Sequence, residues 1–464
     1  MNIIKKKPSI DPNVLKHYRP VSNIKFLSKV IEKHVVNKIT NHMLEHGLGE
    51  PLQSAYRMAH STETALLKVR NDIMSAIHNQ KGVFLVLLDL SAAFDTVNHD
   101  ILFDRMEREI GLTGTALKWF RSYFSGRTTS VCINGSLSAK QALCYGLPQG
   151  STVGPLSFSV YTIPIGRIIR HHGLSYHLYA DDIQIYIIFD PSDHRSIFLA
   201  LAKLTSCISD ITLWMTTNML KLNNDKTEFF VASSPYNKRR LPSVSLQIGS
   251  ETIVPSENIR NLGVIFDSQM TMADQISAIS RSVTFHIRNI SRIRRYLDFE
   301  TCNHIVRSLV LSRLDYGNAL LAGSNAKDIA RLQRLQNWAA KLIFCKSRRD
   351  HASPLLHQLH WLPVNQRIYF KILLYVYKCL NGLGPAYLTS CLSLYSPARE
   401  GLRSASDFTR LVVHHIHNRT VKSAINRTFY LAAPGLWNAL PQSIRCARTV
   451  SIFKKGLKSH LFPN

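Results

Sequence analysis

Two adjacent carboxylates, Asp181 and Asp182, stand between segments whose residues alternate in the way typical of β-strands. After the pair, isoleucines at every second position alternate with Gln184 and Tyr186, and apolar residues precede it. This alternation predicts a β-hairpin whose tight turn carries both acids. Two neighbouring carboxylates repel each other, and a chain that needs only a turn more often uses Asn-Gly. A divalent cation would relieve the repulsion because hard cations take carboxylate oxygens as ligands. A plain polar turn is the alternative.

A third acid follows the continuous apolar run Val83-Phe84-Leu85-Val86-Leu87-Leu88. Such a run predicts a strand that is buried on both faces, in the middle of a sheet. The next residue, Asp89, is a costly place for a charge unless something binds it. If this strand and the hairpin are neighbours, three carboxylates converge, and such a set can hold two Mg²⁺ ions about 3.5–4 Å apart. That arrangement predicts phosphoryl transfer by positioning and electrostatic stabilisation.

The charge of the chain points to a polyanionic partner. It has 57 Lys and Arg against 30 Asp and Glu, a formal net charge of +27. A protein this basic is expected to bind nucleic acid. The excess is most one-sided after residue 350, where 14 basic residues accompany only two acids, Glu400 and Asp407.

Composition also bounds the class of protein. With 464 residues and 45% hydrophobic content, the chain can form a large core and several structural units. The sequence contains no apolar run of about 18 residues, so no transmembrane helix is predicted. The basic N-terminal segment is too short for a signal peptide. Eight cysteines without a Cys-x-x-Cys motif predict a reduced, intracellular protein.

Periodicity gives a mixed order of elements up to about residue 267 and helices afterwards. The segment 233–241 is predicted to be a polar loop, and the tail from about residue 385 is less regular. Helices are predicted over residues 26–44, 100–110, 119–127, 154–169, 196–220, 329–344 and 369–380, and over a segment that begins at Ser61 or Thr62 and continues to about Asn79. Strands are predicted over residues 83–88, 128–133, 228–232 and 261–266, with a hairpin over 244–254.

Seven short blocks follow one another along the chain. They are Tyr18-Arg19-Pro20-Val21-Ser22, Arg57 with His60-Ser61-Thr62-Glu63, Asp89 through Phe94-Asp95, Gly146-Leu147-Pro148-Gln149-Gly150, Tyr179-Ala180-Asp181-Asp182, Lys226-Thr227-Glu228 and Leu262-Gly263-Val264. Their order and intervals resemble those of reverse transcriptases, and the chain is most similar to the enzymes of non-LTR retrotransposons. Segments 432–441 and 453–458 also resemble the end of the second reading frame of such elements.

The resemblance implies an α+β fold shaped like a right hand, with a palm sheet, fingers and a helical thumb. Fingers and palm would occupy residues 3–267, the thumb 268–350, and a basic C-terminal region 351–464. The activity implied is RNA-directed DNA synthesis, in which a dNTP is added to the 3′-hydroxyl of a primer. The partners implied are an RNA template, a DNA primer or target and the dNTP, with no membrane, in the nucleus or the cytoplasm.

Carried over to this sequence, the family's metal ligands are Asp89, Asp181 and Asp182, together with the backbone carbonyl of Leu90. They would hold two Mg²⁺ ions, with Mn²⁺ as a possible substitute. Lys226 stands where the family protonates the leaving pyrophosphate, although a solvated lysine at a strand end is nearly as good an interpretation.

The resemblance also places residues around the nucleotide and the primer. Arg57 would pair with the triphosphate, and Phe94 would lie under the sugar and exclude a 2′-hydroxyl. Gln149 and Gly150 would line the template–nucleotide pocket. The segment Leu262-Gly263-Val264 would grip the primer end. A surface arginine, a core phenylalanine and a plain core strand are the corresponding structural alternatives.

Several features depart from the family pattern. Ala55-Tyr56 replaces the commoner Gly-Phe, and the chain begins inside the fingers without the usual endonuclease. Two alternatives to a polymerase therefore stay open: a truncated, inactive nucleic-acid-binding remnant, and another two-metal enzyme such as a nuclease. Zinc is not expected, since His414-His415-x-His417 and Cys302-x-His304 lack partners with metal-site spacing.

Overall fold

The structure is a computed structural model that describes residues 2–5, 11, 14, 18–133, 135–347, 349–396, 409–413 and 427–462. The strands are β1 (Asn2–Lys5), β2 (Tyr18–Val21), β3 (Gly82–Leu88), β4 (Thr128–Thr129), β5 (Cys132–Ile133), β6 (Ser136–Leu137), β7 (Gln141–Ala142), β8 (Ser175–Tyr179), β9 (Asp182–Phe189), β10 (Glu228–Ala232), β11 (Leu246–Ile248), β12 (Glu251–Ile253), β13 (Asn258–Asn261) and β14 (Val264–Asp267). The helices are α1 (Phe26–Glu45), α2 (Thr62–His78), α3 (His99–Ile110), α4 (Gly114–Phe124), α5 (Val153–Tyr161), α6 (Ile163–His171), α7 (His194–Thr217), α8 (Pro235–Arg240), α9 (Ala273–Ile293), α10 (Phe299–Val306), α11 (Ser312–Asp315), α12 (Ala326–Ile343), α13 (Ser353–Gln358), α14 (Val364–Leu380), α15 (Ala386–Thr389), α16 (Phe429–Asn438), α17 (Gln442–Arg445) and α18 (Val450–Leu461).

A four-stranded antiparallel sheet lies at the centre, with the strand order β10-β3-β9-β8. The apolar strand β3 is interior, as its sequence predicts, and six of its seven residues are buried. Its side chains alternate between two cores: Val83 and Leu85 face one, while Phe84 and Val86 face the other. The sheet is therefore covered on both faces, which is what a continuous apolar run requires.

The face that carries Phe84 and Val86 packs against helices α3 to α7, which contribute most of the residues of that core. The face that carries Val83 and Leu85 packs against α2, and its core continues through the thumb helices α9 to α12 into α14 and α16. The C-terminal region is thus joined to the thumb and to the back of the palm by one continuous set of buried residues. The domain boundaries at residues 267 and 350 stay predictions.

Helix α2 begins where its sequence predicts. The side chain of Ser61 accepts a hydrogen bond from the backbone N–H of Thr64, and the side chain of Thr64 accepts one from the N–H of Ser61. This reciprocal cap satisfies two donors that a helix start otherwise leaves unpaired.

The structure corrects several of the predicted elements. The strand predicted over 128–133 is two short strands, β4 and β5, which belong to different sheets. The helix predicted over 154–169 is two helices, α5 and α6, which break at Thr162 just before Pro164. The polar loop at 233–241 contains the helix α8, whose start is capped by the side chain of Ser234 and preset by Pro235. The helix predicted over 119–127 begins earlier, at Gly114. The strand predicted over 261–266 is a hairpin of β13 and β14.

Within the part of the chain that the structure describes, one helix, α7, is long and apolar enough to cross a membrane by length and composition. A search of the sequence for an uninterrupted apolar run does not reveal it. A single such helix is weak grounds for a membrane span, because core helices pass the same test. One stripe of α7, including Leu204, Ile208 and Ile211, is buried in the core beside the sheet. We therefore interpret α7 as a palm helix.

Candidate active site

The predicted hairpin is formed by β8 and β9, with Tyr179 paired to Asp182. Its turn consists of Ala180 and Asp181, so Asp182 is the first residue of β9 and only Asp181 lies in the turn itself. Ala180 has φ = 55°. This left-handed conformation costs a non-glycine residue about 1 kcal/mol or more, so other contacts must hold it.

Those contacts come from residues 50–57, which we call the strap. The strap runs along the outer edge of β8: the N–H of Ser54 donates to the carbonyl of Leu178 at 2.9 Å, and the N–H of Leu178 donates to the carbonyl of Leu52 at 2.9 Å. The side-chain oxygen of Gln53 accepts from the N–H of Ala180 at 3.0 Å. Gln53 therefore fixes the hairpin turn directly. No periodic pattern in the sequence marks it.

Two charged residues hold the strap in its bent path. The guanidinium of Arg57 donates to the carbonyls of Glu50 at 2.8 Å and Gln53 at 3.2 Å, and burial lowers its pKa. The buried carboxylate of Glu50 accepts from the hydroxyl of Tyr176 at 2.6 Å and from Arg170 at 2.9 Å. Arg57 is thus committed to strap carbonyls here, and its pairing with a triphosphate stays a prediction.

The three predicted carboxylates are neighbours. Leu88 at the end of β3 pairs with Ile183 of β9, and this register brings the following Asp89 beside Asp182. Burial and the charges of Asp181 and Asp89 raise the pKa of Asp182 to about 6. The amine of Lys226 lies 2.7 Å from a carboxylate oxygen of Asp89. The site therefore concentrates negative charge and draws one cation to it.

The side chains around the three acids are not arranged as a complete metal coordination sphere. Within the described residues, no three His, Cys, Asp or Glu side chains stand ready around one point. One Asp89 oxygen is instead shared by Lys226 and, at 3.4 Å, by the amide of Asn223. The ammonium group of Lys226 thus supplies positive charge beside Asp89, where a metal ion would supply it. The oxygens available to a metal are those of carboxylates, so the residues fit a hard divalent ion.

The backbone around Leu90 is held by a short antiparallel bridge to Leu222. Its hydrogen bonds run from the N–H of Asn223 to the carbonyl of Asp89 and from the N–H of Ser91 to the carbonyl of Lys221, both at 2.9 Å. Because these bonds use the neighbouring residues, the carbonyl of Leu90 points away from this bridge. That direction agrees with its predicted use as a ligand, which stays a prediction.

The residues predicted for the nucleotide pocket lie together. The ring of Phe94 stacks on Phe158, with centroids 4.9 Å apart. The side-chain amide of Gln149 donates to the carboxylate of Asp95 at 2.9 Å. Gly150 has φ = 101°, and a Cβ there would lie 3.4 Å from the carbonyl of Ser22. The loop therefore needs glycine at this position.

The predicted primer grip is the turn between β13 and β14. Leu262 and Gly263 both have positive φ, 43° and 84°, and Val264 begins β14. The hydroxyl of Tyr316 donates to the carbonyl of Leu262 at 2.6 Å, and the amide of Asn261 donates to Gln184 of β9 at 2.8 Å. Tyr316, which the sequence analysis missed, thus ties this turn to the thumb.

Of the two histidine motifs considered for zinc, His414-His415-x-His417 lies outside the described residues. Cys302 is fully buried in helix α10, where it packs in the core. Within the described chain, no metal-binding group of His, Cys, Asp and Glu includes it.

His177, next to the hairpin, is expected to make folding sensitive to acid. Burial lowers its pKa to about 3, below the usual value of about 6.5. Between these values the unfolded chain binds a proton that the folded protein does not, so stability falls as the pH drops from about 6.5 toward 3. His177→Gln should flatten this part of a stability–pH curve measured by urea unfolding.

The exposed His171 provides the control. His171→Gln should leave the acid limb of that curve unchanged. Equal acid limbs in wild type and His177→Gln would contradict the assignment of a buried neutral imidazole.

Comparisons with known proteins agree with this geometry. The sequence profile of the family described as reverse transcriptase (RNA-dependent DNA polymerase) matches residues 4–266. The probable RNA-directed DNA polymerase from transposon BS of Drosophila melanogaster is 26% identical over 283 residues, which are 59% of this chain and 30% of that protein. The RNA-directed DNA polymerase from mobile element jockey of Drosophila funebris is 24% identical over 319 residues, 67% of this chain and 34% of that protein.

Among solved structures, apo telomerase from Candida tropicalis aligns with a TM-score of 0.36 and 10% identity, covering 71% of this chain and 56% of that one. The RNA-dependent RNA polymerase of a human picobirnavirus aligns with a TM-score of 0.31 and 11% identity, covering 75% and 61%. The chain spans about a third of the length of the curated relatives it matches. Since the family profile covers 263 of the 464 residues, including every predicted metal ligand, the chain belongs to the reverse transcriptase family.

Proposed function

We propose that this chain is an RNA-directed DNA polymerase of a retrotransposon, which adds dNTPs to the 3′-hydroxyl of a primer. One observation carries the proposal: Asp89 at the end of β3 and Asp181-Asp182 at the β8–β9 hairpin are brought together on one sheet edge. Burial and the charges of Asp181 and Asp89 raise the pKa of Asp182. A site that holds three carboxylates together despite their mutual repulsion is suited to binding cations.

In this proposal Asp89, Asp181 and Asp182, with the carbonyl of Leu90, hold two Mg²⁺ ions or, alternatively, Mn²⁺. When bound, such ions activate an attacking hydroxyl and offset charge on the phosphoryl group. Lys226 lies beside Asp89, and its ammonium would donate a proton to the leaving pyrophosphate.

The selection of the sugar is assigned to Phe94. Its stacking on Phe158 fixes the ring plane, and a rigid ring can exclude a 2′-hydroxyl by contact. Gln149 is held by Asp95 and lies on the same loop as Gly150, so both can border the base pair being formed. Arg57 would have to exchange strap carbonyls for phosphate oxygens to bind the triphosphate.

The thumb offers a surface for the nucleic acid. Helices α9 and α12 border a groove of about 510 Å³ whose lining, all within described residues, contains no acid. The exposed ring of Phe285 lies in the same groove. Phosphates of a template–primer hybrid are the expected occupants. The arginines of the groove are Arg281, Arg288, Arg292, Arg331 and Arg334.

Charge reversal in this groove is expected to weaken RNA–DNA hybrid binding. Arg288→Glu/Arg334→Glu should lower the affinity about tenfold or more at moderate salt and reduce the slope of log K against log salt, because fewer counterions are released. Fluorescence anisotropy of a labelled hybrid at several salt concentrations measures both quantities.

Lys327→Glu/Lys346→Glu is the matched control, since it changes the net charge by the same amount at two exposed lysines that do not line the groove. An equal loss of affinity in both proteins would mean that only net charge matters and that the groove is not a binding surface.

The proposed activity is tested by extension of a DNA primer on poly(rA) with Mg²⁺ and dTTP. Mg²⁺-dependent extension that stops when EDTA is added supports the polymerase. Degradation of the template without extension would favour a two-metal nuclease. Salt-sensitive binding of RNA by well-folded protein, with no extension, would leave a nucleic-acid-binding remnant as the better account.

We also propose an intracellular place of action, in the nucleus or the cytoplasm. All eight cysteines are free thiols in the structure, which agrees with a reducing compartment. Fractionation of cells that express a tagged chain would test this, and secretion into the medium would contradict it.

A further inference from the structure

A tyrosine of the C-terminal region reaches the residues behind the catalytic hairpin. Tyr387 lies in α15, and only 6% of its surface is exposed. Its hydroxyl is 2.8 Å from the hydroxyl of Ser54 in the strap and 3.0 Å from that of Thr64 in α2. The ring lies edge-on to His177, with centroids 4.9 Å apart.

Ser54 connects this tyrosine to the hairpin. Its hydroxyl lies 2.8 Å from Nε2 of His177, and its backbone N–H donates to the carbonyl of Leu178. His177 and Leu178 belong to β8, which leads through Tyr179 directly into the turn that carries Asp181. Three elements far apart in the sequence therefore meet at one buried hydroxyl.

Counting protons fixes the direction of these hydrogen bonds. Thr64 uses its own proton on the carbonyl of Ser61, so it can only accept from Tyr387. Tyr387 has then spent its proton and must accept from Ser54, and Ser54 must in turn accept from Nε2–H of His177. The chain runs His177 to Ser54 to Tyr387 to Thr64, and each hydroxyl both accepts and donates.

A chain of this kind is cooperative and intolerant of a missing member. Hydrogen bonds in a buried series polarise one another, and removing one member leaves neighbours unpaired where water cannot replace it. Among the described residues, the Nδ1 atom of His177 has no hydrogen-bond partner, which agrees with Nε2 as the nitrogen that carries the proton. Burial lowers the pKa of His177 to about 3, which agrees with a neutral ring.

We propose that Tyr387 is a positioning residue for the polymerase reaction, which holds the strap and β8 so that the Asp181-Asp182 hairpin keeps its geometry. The proposal rests on the proposed function and assigns a task to the C-terminal region that lies outside the family profile. Tyr387 touches none of the predicted metal ligands. It acts through Ser54 and the strap, in which the side-chain oxygen of Gln53 accepts a hydrogen bond from the N–H of Ala180.

The test compares two substitutions that each remove one buried hydroxyl from the same region. Tyr387→Phe keeps the ring against His177 but breaks the chain. Tyr377→Phe is the control, because the hydroxyl of Tyr377 donates to the carbonyl of Ala447, at 2.6 Å, within the C-terminal region. Ser54→Ala breaks the same chain from the strap side and serves if Tyr387→Phe fails to fold.

For Tyr387→Phe and Ser54→Ala we expect kcat for dTTP addition to fall about tenfold with little change in KM, because a misplaced hairpin affects the reacting geometry more than binding. The double variant should lose little more than either single one, since both break one chain. Tyr377→Phe should keep its kcat. Equal kcat values in Tyr387→Phe and Tyr377→Phe would overturn the proposal.

A second readout is independent of activity. Amide hydrogen exchange of peptides covering residues 174–182 should be about tenfold faster in Tyr387→Phe than in wild type, and unchanged in Tyr377→Phe. If the wild-type chain shows no polymerase activity, this measurement still decides whether Tyr387 holds the hairpin. Unchanged exchange there would exclude the positioning role, whatever the fate of the proposed function.

Discussion

Primer extension is expected to be lost when both hairpin acids are replaced, in Asp181→Ala/Asp182→Ala. The two carboxylates are the predicted ligands on β9 and its turn, and Asp89 is the third predicted carboxylate ligand. Without them, the remaining acid is paired with Lys226 and cannot hold two divalent ions. We expect a fall in the extension rate of at least about 10³-fold, or about 4 kcal/mol in the barrier.

The variant should remain folded, and this separates lost chemistry from lost structure. Removing two carboxylates relieves the repulsion that raises the pKa of Asp182, so its urea midpoint should equal or exceed that of wild type. The control is Asp104→Ala/Asp210→Ala, which removes two surface carboxylates paired with Arg108 and His172. Extension at the wild-type rate by the hairpin variant would refute the assignment of the metal ligands.

The palm could be predicted from the sequence because its signals are local. A short uninterrupted apolar run rich in valine and leucine favours an interior strand of a covered sheet, and β3 is one. Alternation after Asp182 predicts β9, and adjacency of the two strands then brings the three acids together. The order of the seven blocks supplied the fold and the family, and the sequence profile over residues 4–266 confirms both.

The parts that escaped prediction depend on contacts between distant residues. Gln53 caps a turn more than 120 positions away, Tyr316 bonds the primer-grip turn from the thumb, and Tyr387 reaches the strap from beyond position 380. No periodicity marks such pairs, since each is created by tertiary packing. The hairpin at Leu262-Gly263 was missed for the opposite reason: apolar residues continue across the turn and resemble one strand.

The second large effect is expected on stability, at Glu63 in the first turn of α2. Its buried carboxylate accepts from the N–H of Ala319 at 2.9 Å and from the hydroxyl of Tyr375 at 2.7 Å, and it lies 3.1 Å from the amine of Lys371. One side chain thus joins α2 to the thumb and to α14. Glu63→Ala would leave three donors without their acceptor, so we expect it to lower the free energy of unfolding by about 3–5 kcal/mol.

Glu300→Ala is the matched control for Glu63→Ala. Glu300 also lies in the first turn of a helix, α10, but it is exposed, so its loss should cost less than about 1 kcal/mol. Glu63→Gln keeps an acceptor for Ala319 while removing the charge that faces Lys371, and its urea midpoint should lie between wild type and Glu63→Ala. If Glu63→Ala were no less stable than Glu300→Ala, the assignment of the Glu63 carboxylate as the link between α2, the thumb and α14 would be wrong.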